Sequence, residues 1–371
     1  MAGRDADVVV VGGGGVGSAA AWQLAAGGAD VVLLERFAAG HTRGASHGAS
    51  RIFRIGYSEP AYLRLALRAL PLWRELEQES GRSLLELTGG VTHGGGEELD
   101  LQAWALEAAG RPGRWLSHEE AVERWPGLRY DGRVYFHPLT GRLHADHAVA
   151  ALQDVAARAG ATVRHETPVT AIEVKGADRV DVHTVNGTYR ARRAVVAVGA
   201  WSAKLLAGIV PLPPLRVTQE QPAYFAPVRE DLPWPAFIHY RDPAGLEPGL
   251  PGAVYGLVTP GAGIKAGFHG AGEVCDPDER DFRAEPGQLR ALRRYVREWL
   301  PGADPDRVDP ISCTYTTTAT EDFLLDRVGP VVVGAGFSGH GFKFLPVLGR
   351  ILADLAVAGT RPGDRFALPS S

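Results

Sequence analysis

A β-forming run, Asp7-Val8-Val9-Val10-Val11, leads without a break into Gly12-Gly13-Gly14-Gly15-Val16-Gly17, and this junction limits the fold more than any other feature of the chain. Glycines at 12, 14 and 17 follow the spacing G-x-G-x-x-G. Gly12 permits a tight turn, Gly14 lets backbone approach a pyrophosphate, and Gly17 lets the next helix pack closely on the strand. The helix that follows presents unpaired N–H groups and a positive dipole end to that phosphate, and Gly15, in the same turn, is counted among the cofactor contacts. Small residues from Ser18 to Ala26 suit a close-packed helix. A second apolar run, Val31-Val32-Leu33-Leu34, ends in Glu35, at about the 20-residue spacing of an acid that accepts hydrogen bonds from a ribose. Strand, turn, helix and strand together spell a unit that binds an adenine dinucleotide. The motif serves NAD and FAD alike; its place at the start of the sequence favours FAD.

The 371 residues suffice for two domains. With 45% apolar and 22% charged residues, the composition is that of a soluble globular protein. A net charge of −4 offers no basic footprint for nucleic acid, and no apolar stretch is long enough to span a bilayer. The first residues carry no secretory signal, so a cytoplasmic setting is expected, with neither nucleic acid nor membrane as a partner. Cys275 and Cys313 are the two cysteines; they have no metal-ligand spacing, and no metal is expected. Cations are written almost wholly as arginine. Only four of the 39 are lysines, Lys175, Lys204, Lys265 and Lys343, and the last two sit among glycines and aromatics.

Periodicity predicts a helix over 60–79, opened by Pro60, and another over 146–159, ended by Gly160. The segment 89–131 reads as short helices and loops. A β-rich meander follows over 162–174 and 180–189, with Asn186-Gly187 as a hairpin turn. Ala194-Val195-Val196-Ala197-Val198 and Val331-Val332-Val333 look like two further buried strands. Pro211-Leu212-Pro213-Pro214 marks a crossing between domains. Residues 217–318 alternate strands with loops around one helix at 288–300, a last helix spans 346–357, and 359–371 reads as a polar, mobile tail. The expected architecture combines α/β and α+β parts. A Rossmann-type FAD-binding domain, discontinuous over 1–90, 145–215 and 320–371, is joined to a mainly antiparallel substrate domain over 91–144 and 216–319.

Four segments carry candidate chemistry. In Gly263-Ile264-Lys265-Ala266-Gly267-Phe268-His269, alternation puts Lys265 and His269 on one strand face with a bare Gly267 between them. Such a face suits a planar ligand, although a solvated face reads the same way. The same parity pairs Cys313 with Tyr315, which is equally readable as core. Gly334-Ala335-Gly336-Phe337-Ser338-Gly339-His340-Gly341-Phe342-Lys343-Phe344 lets backbone approach a ligand at Gly339 and Gly341 and sets Lys343 where it either pairs a carboxylate or caps a loop. Arg51 and Arg54 would share one face if they lay in a helix.

Together these segments resemble the monomeric sarcosine oxidase and N-methyltryptophan oxidase family of flavin-dependent amine oxidases. The residues that carry the likeness are Gly12 to Gly17 with Glu35, the run His47-Gly48-Ala49-Ser50-Arg51-Ile52-Phe53-Arg54, Lys265 with His269, Cys313-Thr314-Tyr315-Thr316, and Gly336 to Lys343. The likeness spans nearly the whole chain in the same order. It implies FAD held through a thioether from Cys313 to the flavin 8α-methyl carbon, with Arg51 and His47 beside the ring and Ser50 among the cofactor-binding residues. It implies Lys265 near flavin N5 as the group that promotes reaction with oxygen. Arg54 and Lys343 match the pair that holds a substrate carboxylate; Tyr255, His269 and Tyr315 match cavity-lining positions. The implied reaction moves a hydride equivalent from the N–CH bond of a secondary amino acid to the flavin, the imine hydrolyses, and O2 returns the flavin to its oxidised form with release of H2O2. A monomer is implied as well. Gly256-Leu257-Val258-Thr259-Pro260-Gly261 and Val217-Thr218-Gln219-Glu220-Gln221 depart from the family pattern. That leaves sarcosine itself in doubt and keeps open a cyclic imino acid, an Amadori product, a biosynthetic amine or a non-covalent dehydrogenase.

Overall fold

The N-terminal unit forms as its residues predict. In the computed structural model, which describes residues 5–242, 246 and 250–369, it lies at the centre of the first of two eight-stranded sheets. β1 (Ala6–Val11) and β2 (Val31–Leu34) pair in parallel and are buried almost throughout, as strands covered on both faces must be. The second half of β12 (Gly187–Val196) runs parallel to β1 and to β22 (Val331–Ala335), and β9 (Thr162–Arg164) runs parallel to β2. β10 (Val169–Gly176), β11 (Arg179–Thr184) and the first half of β12 form the antiparallel meander; β21 (Leu324–Val328) pairs antiparallel with β22. The run 162–174 is therefore not one continuous strand. It breaks between β9 and β10, which go to opposite sides of β1.

Helices α1 (Gly15–Ala26), α2 (Pro60–Ser80), α5 (Ala145–Arg158) and α8 (Leu345–Val357) pack against one another and share one large apolar core with the first sheet. Small residues make this possible. A Cβ on Gly349 would stand 2.4 Å from the carbonyl oxygen of Ala19, so α1 and α8 meet at backbone distance. Glu59 caps α2 by accepting from the Ala61 N–H, Pro60 takes the first turn, and Gly81 ends the helix in the left-handed region at φ 69°.

The second sheet has the order β19 (Ala303–Pro310), β14 (Ala223–Pro227), β17 (Gly263–Phe268), β16 (Ala253–Thr259), β15 (Ala236–Tyr240), β5 (Gly90–Gly94), β7 (Arg133–His137), β6 (Arg114–Leu116). Every pair is antiparallel except β5–β15. One face packs under α7 (Pro286–Trp299) through residues such as Phe237, Ile264, Leu292 and Val296. Segment 89–131 thus holds two strands of this sheet besides α3 (Glu97–Ala108) and α4 (His118–Arg124), rather than helices and loops alone.

Two small sheets complete the frame: β3 (Arg51–Phe53), β8 (Gly141–Leu143) and β4 (Leu85–Glu86); and β18 (Glu273–Val274), β13 (Arg216–Glu220) and β20 (Cys313–Thr317). Arg51 accordingly lies in a strand and not on a helix face shared with Arg54. A four-residue helix, α6 (Ser202–Leu205), follows β12. The C-terminal segment is no loose tail. Phe366 is buried against Tyr62 and Phe323, and Arg365 bridges Glu59 and Asp322. Among the described residues, no helix is long and apolar enough to cross a membrane.

Candidate active site

One cavity of about 1000 Å³ lies between the two large sheets, and its walls include every site residue expected from the sequence except Gly17. Gly17 acts by packing. A Cβ there would fall 1.8 Å from the carbonyl oxygen of Gly12, so only glycine allows α1 to leave the turn at this angle. Gly12 itself has φ 102° and no room for a side chain beside Ala197. At the mouth of α1 the N-cap is Gly14, which supplies no side-chain cap, so apart from the Gly15 N–H the first turn is left to an anion. Ser46 Oγ reaches the Gly15 N–H at 3.0 Å.

Glu35 accepts from the N–H groups of Gly13 (2.6 Å) and Phe37 (2.9 Å), and His41 Nε2 lies 3.3 Å from its carboxylate. Burial works to raise this carboxyl. The contacts to His41, Phe37 and Gly13 outweigh it and hold the pKa below the usual carboxylate range.

Farther along the cavity, Lys265 Nζ donates to the Ser50 carbonyl at 3.1 Å, and Arg51 Nη1 donates to the same oxygen at 2.9 Å. Arg51 also donates to the carbonyls of His47 and Ala45, and its Nη2 lies 3.8 Å from Cys313 Sγ. Ser50 Oγ and Thr259 Oγ1 are 2.6 Å apart, which ties the loop after β2 to the second sheet. His47 Nε2 is buried with no hydrogen-bond partner among the described residues. Burial, then the charges of Arg51 and Lys265, pull the His47 pKa down to about 4. Burial, followed by Arg51, lowers Lys265 well below the ordinary lysine value.

A second cationic cluster faces the same cavity. Lys343 Nζ donates to Tyr57 OH (2.9 Å) and to the His340 carbonyl (2.7 Å), while the Arg54 guanidinium stacks 4.3 Å from the centre of the Tyr57 ring. His269 Nδ1 lies 3.4 Å from Tyr315 OH, and Tyr255 stands next to Tyr315. Burial, then Arg54 and Lys343, brings His269 to about 4, and burial with Arg54 depresses Lys343 strongly. None of Arg51, Arg54, Lys265 and Lys343 has an ion-pair partner among the described residues.

Two sequence expectations change in detail. The space over Gly267 is not bare: a Cβ there would meet the Tyr255 ring and hydroxyl at 3.0 Å, across the strand pair. Gly339 and Gly341 likewise make room for protein, the rings of Tyr315 and Phe337, while their backbones line the cavity. Tyr57, Tyr240 and His340 also line it, and sequence reasoning did not select them. His340 lies inside the glycine-rich run and Tyr57 follows Arg54 by three residues, so proximity to cationic motifs was the available signal. Tyr240, bonded to Gln102 Nε2 at 2.8 Å, has no such signal.

A helix N-terminus with no cap from its own N-cap residue, glycines at backbone contact and four cations without an ion-pair partner among the described residues, around one long cavity, fit a dinucleotide with an anionic substrate beside it. The comparisons agree on the cofactor. A family model described as FAD dependent oxidoreductase, DAO, matches residues 7–355. The chain is 35% identical to a monomeric sarcosine oxidase of Bacillus sp. (strain B-0618), over 96% of this chain and 94% of that one. It is 31% identical to an N-methyl-L-tryptophan oxidase of Yersinia pestis (strain Pestoides F), over 97% of each. Among solved structures it is similar to NikD, an unusual amino acid oxidase essential for nikkomycin biosynthesis, in its open form, with a TM-score of 0.85, 31% identity and coverage of 99% and 98%. The chain belongs to the DAO family of FAD-dependent oxidoreductases.

Proposed function

We propose that the protein oxidises a secondary amine that carries a carboxylate, with FAD joined to Cys313 and O2 as acceptor. When bound, FAD supplies the two-electron acceptor for the carbon–hydrogen bond next to nitrogen and hands the electrons to O2 as H2O2. Gly12 to Gly15 and the open end of α1 would hold its pyrophosphate, Glu35 the ribose, and Ser50, Arg51, His47, Gly339 and Gly341 the ring. The observation that carries the substrate class is the Arg54–Lys343 pair, a half-buried arginine and a buried lysine beside a tyrosine cluster, with no ion-pair partner among the described residues.

Lys343 and Arg54 bind the carboxylate and so fix the distance of the amine from the ring. Tyr255 and Tyr315 wall the amine from water, and His269, already bonded through Nδ1, stays neutral at physiological pH and orients it. The same cations make an ammonium group costly, so the amine sheds its proton and presents its lone pair. Lys265 supplies positive charge where dioxygen takes up electrons. Monomeric function and a split into a discontinuous cofactor domain and a second substrate domain belong to this reading.

The first test denatures the yellow holoenzyme in acid. Flavin absorbance should stay with wild-type polypeptide and leave with Cys313→Ser; release from wild type removes the Cys313 linkage and favours the non-covalent dehydrogenase.

A further inference from the structure

On its other face the second sheet carries a cluster that amine oxidation does not use. His93 in β5 and His239 in β15 are register partners on parallel strands, so their imidazoles lie side by side, 4.1 Å between centroids and 21° between planes. Alternation along β15 sends Ile238 and Tyr240 to the cavity and His239 the opposite way, toward Tyr295 and Trp299 of α7. Both histidines are buried, at 1% and 0% exposure. The loop before β7 brings Asp131 to them, anchored where the Gly94 N–H donates to the Asp131 carbonyl at 3.2 Å. Asp131 Oδ1 lies 2.9 Å from His239 Nε2 and 3.4 Å from His93 Nδ1, and the three atoms fall within 4.8 Å of one another.

Both separations are short, yet neither contact makes a hydrogen bond, and all three atoms are buried without a hydrogen-bond partner among the described residues. Three potential ligand atoms within 4.8 Å of one another, two of them on fully buried rings and none hydrogen-bonded, make a costly arrangement unless something satisfies them. On the other side of its ring, His239 Nδ1 is 3.1 Å from Tyr295 OH. A proton on Nδ1 donated to that hydroxyl leaves Nε2 as a ligand atom, the support that metal-binding histidines ordinarily receive.

We infer that His93 Nδ1, His239 Nε2 and Asp131 Oδ1 bind one divalent transition-metal ion, zinc by preference, with water as the fourth ligand. Two imidazoles and a carboxylate are a borderline-soft donor set that suits zinc better than calcium or magnesium. Tetrahedral bonds of about 2.1 Å put ligand atoms about 3.4 Å apart. The Asp131–His93 separation of 3.4 Å already matches that; Asp131 and His239, at 2.9 Å, would open by about 0.5 Å, and the two histidine nitrogens would close onto the ion. Asp131 is 35% exposed, which gives the ion and its water a route from solvent. The ion would clamp β5 to β15, the one parallel pair of the sheet, to the loop before β7. Its effect is on stability and metal content, not on the chemistry at the flavin.

The test uses full-length, flavin-loaded protein stripped with chelator and titrated with zinc chloride. One equivalent per chain and a rise in melting temperature are expected, and cobalt(II) in its place should give the visible bands of a tetrahedral site. Asp131→Asn and His239→Gln should each weaken zinc binding by at least about tenfold while the flavin spectrum is unchanged. Should His239→Gln fail to fold, the half-exposed Asp131→Asn still decides the matter. No uptake, uptake that either variant leaves intact, or cobalt without tetrahedral bands overturns the site and leaves an aspartate between two neutral histidines.

Discussion

Lys343 is 7% exposed, and its hydrogen-bond partners among the described residues are a phenol and a backbone carbonyl. Burial and Arg54 push it down, and His269 feels the same two cations. A bound carboxylate reverses that field and raises both groups. Their bound-state pKa values then lie above the free ones, so binding takes up protons, is strongest below the free values and weakens as pH rises through the bound value of Lys343. Calorimetry of a non-reacting carboxylate in buffers of different ionisation enthalpy should show net proton uptake, most of it lost in Lys343→Met. That variant should also raise KM by about 10- to 100-fold, the worth of one charge-assisted hydrogen bond. No uptake, or an unchanged KM, removes Lys343 from the carboxylate site. At this scale the sequence was legible where charge sat in glycine-rich or small-residue runs, as for Lys265, Arg54 and Lys343. Tyr57 and Tyr240 stayed hidden because an aromatic residue in a strand or loop reads as core until its neighbours are known.

Local pattern explains which elements could be read. The turn from β1 into α1 needs only neighbours in sequence: strand propensity, a positive φ at Gly12 and contact distance at Gly17. Gly17→Ala should therefore act on the element, forcing α1 off the strand through a 1.8 Å clash with the Gly12 oxygen. The expected result is loss of bound flavin together with destabilisation of about 1–3 kcal/mol, read from the urea midpoint. Retention of flavin and midpoint would contradict the packing role. By contrast β5, Gly90-Val91-Thr92-His93-Gly94, is glycine-bounded and too short for alternation to stand out. Its partner β15 comes from far along the chain, and no local signal announces that pairing.

Across the whole molecule, segments distant in sequence meet around the cavity: the loop after β2 through Ser50 and Thr259, and the C-terminal segment through Phe366 and Arg365. Composition alone suggested a mobile tail there, because a single buried ring among polar and proline residues carries no periodic signal. Phe366→Ala should cost about 3–5 kcal/mol in urea unfolding, as for a buried aromatic truncated in a packed core. A loss under about 1 kcal/mol would mean the segment is not docked. The central claim is that a carboxylate-bearing secondary amine delivers electrons in this cavity. It is tested most directly by mixing the holoenzyme anaerobically with N-methyl and cyclic amino acids, each beside its decarboxylated counterpart, and following flavin absorbance. The account predicts bleaching by at least one carboxylate-bearing amine, with its counterpart at least about tenfold less efficient for want of the charged contact. Absorbance unmoved by every amine, or equal bleaching with and without the carboxylate, would contradict it.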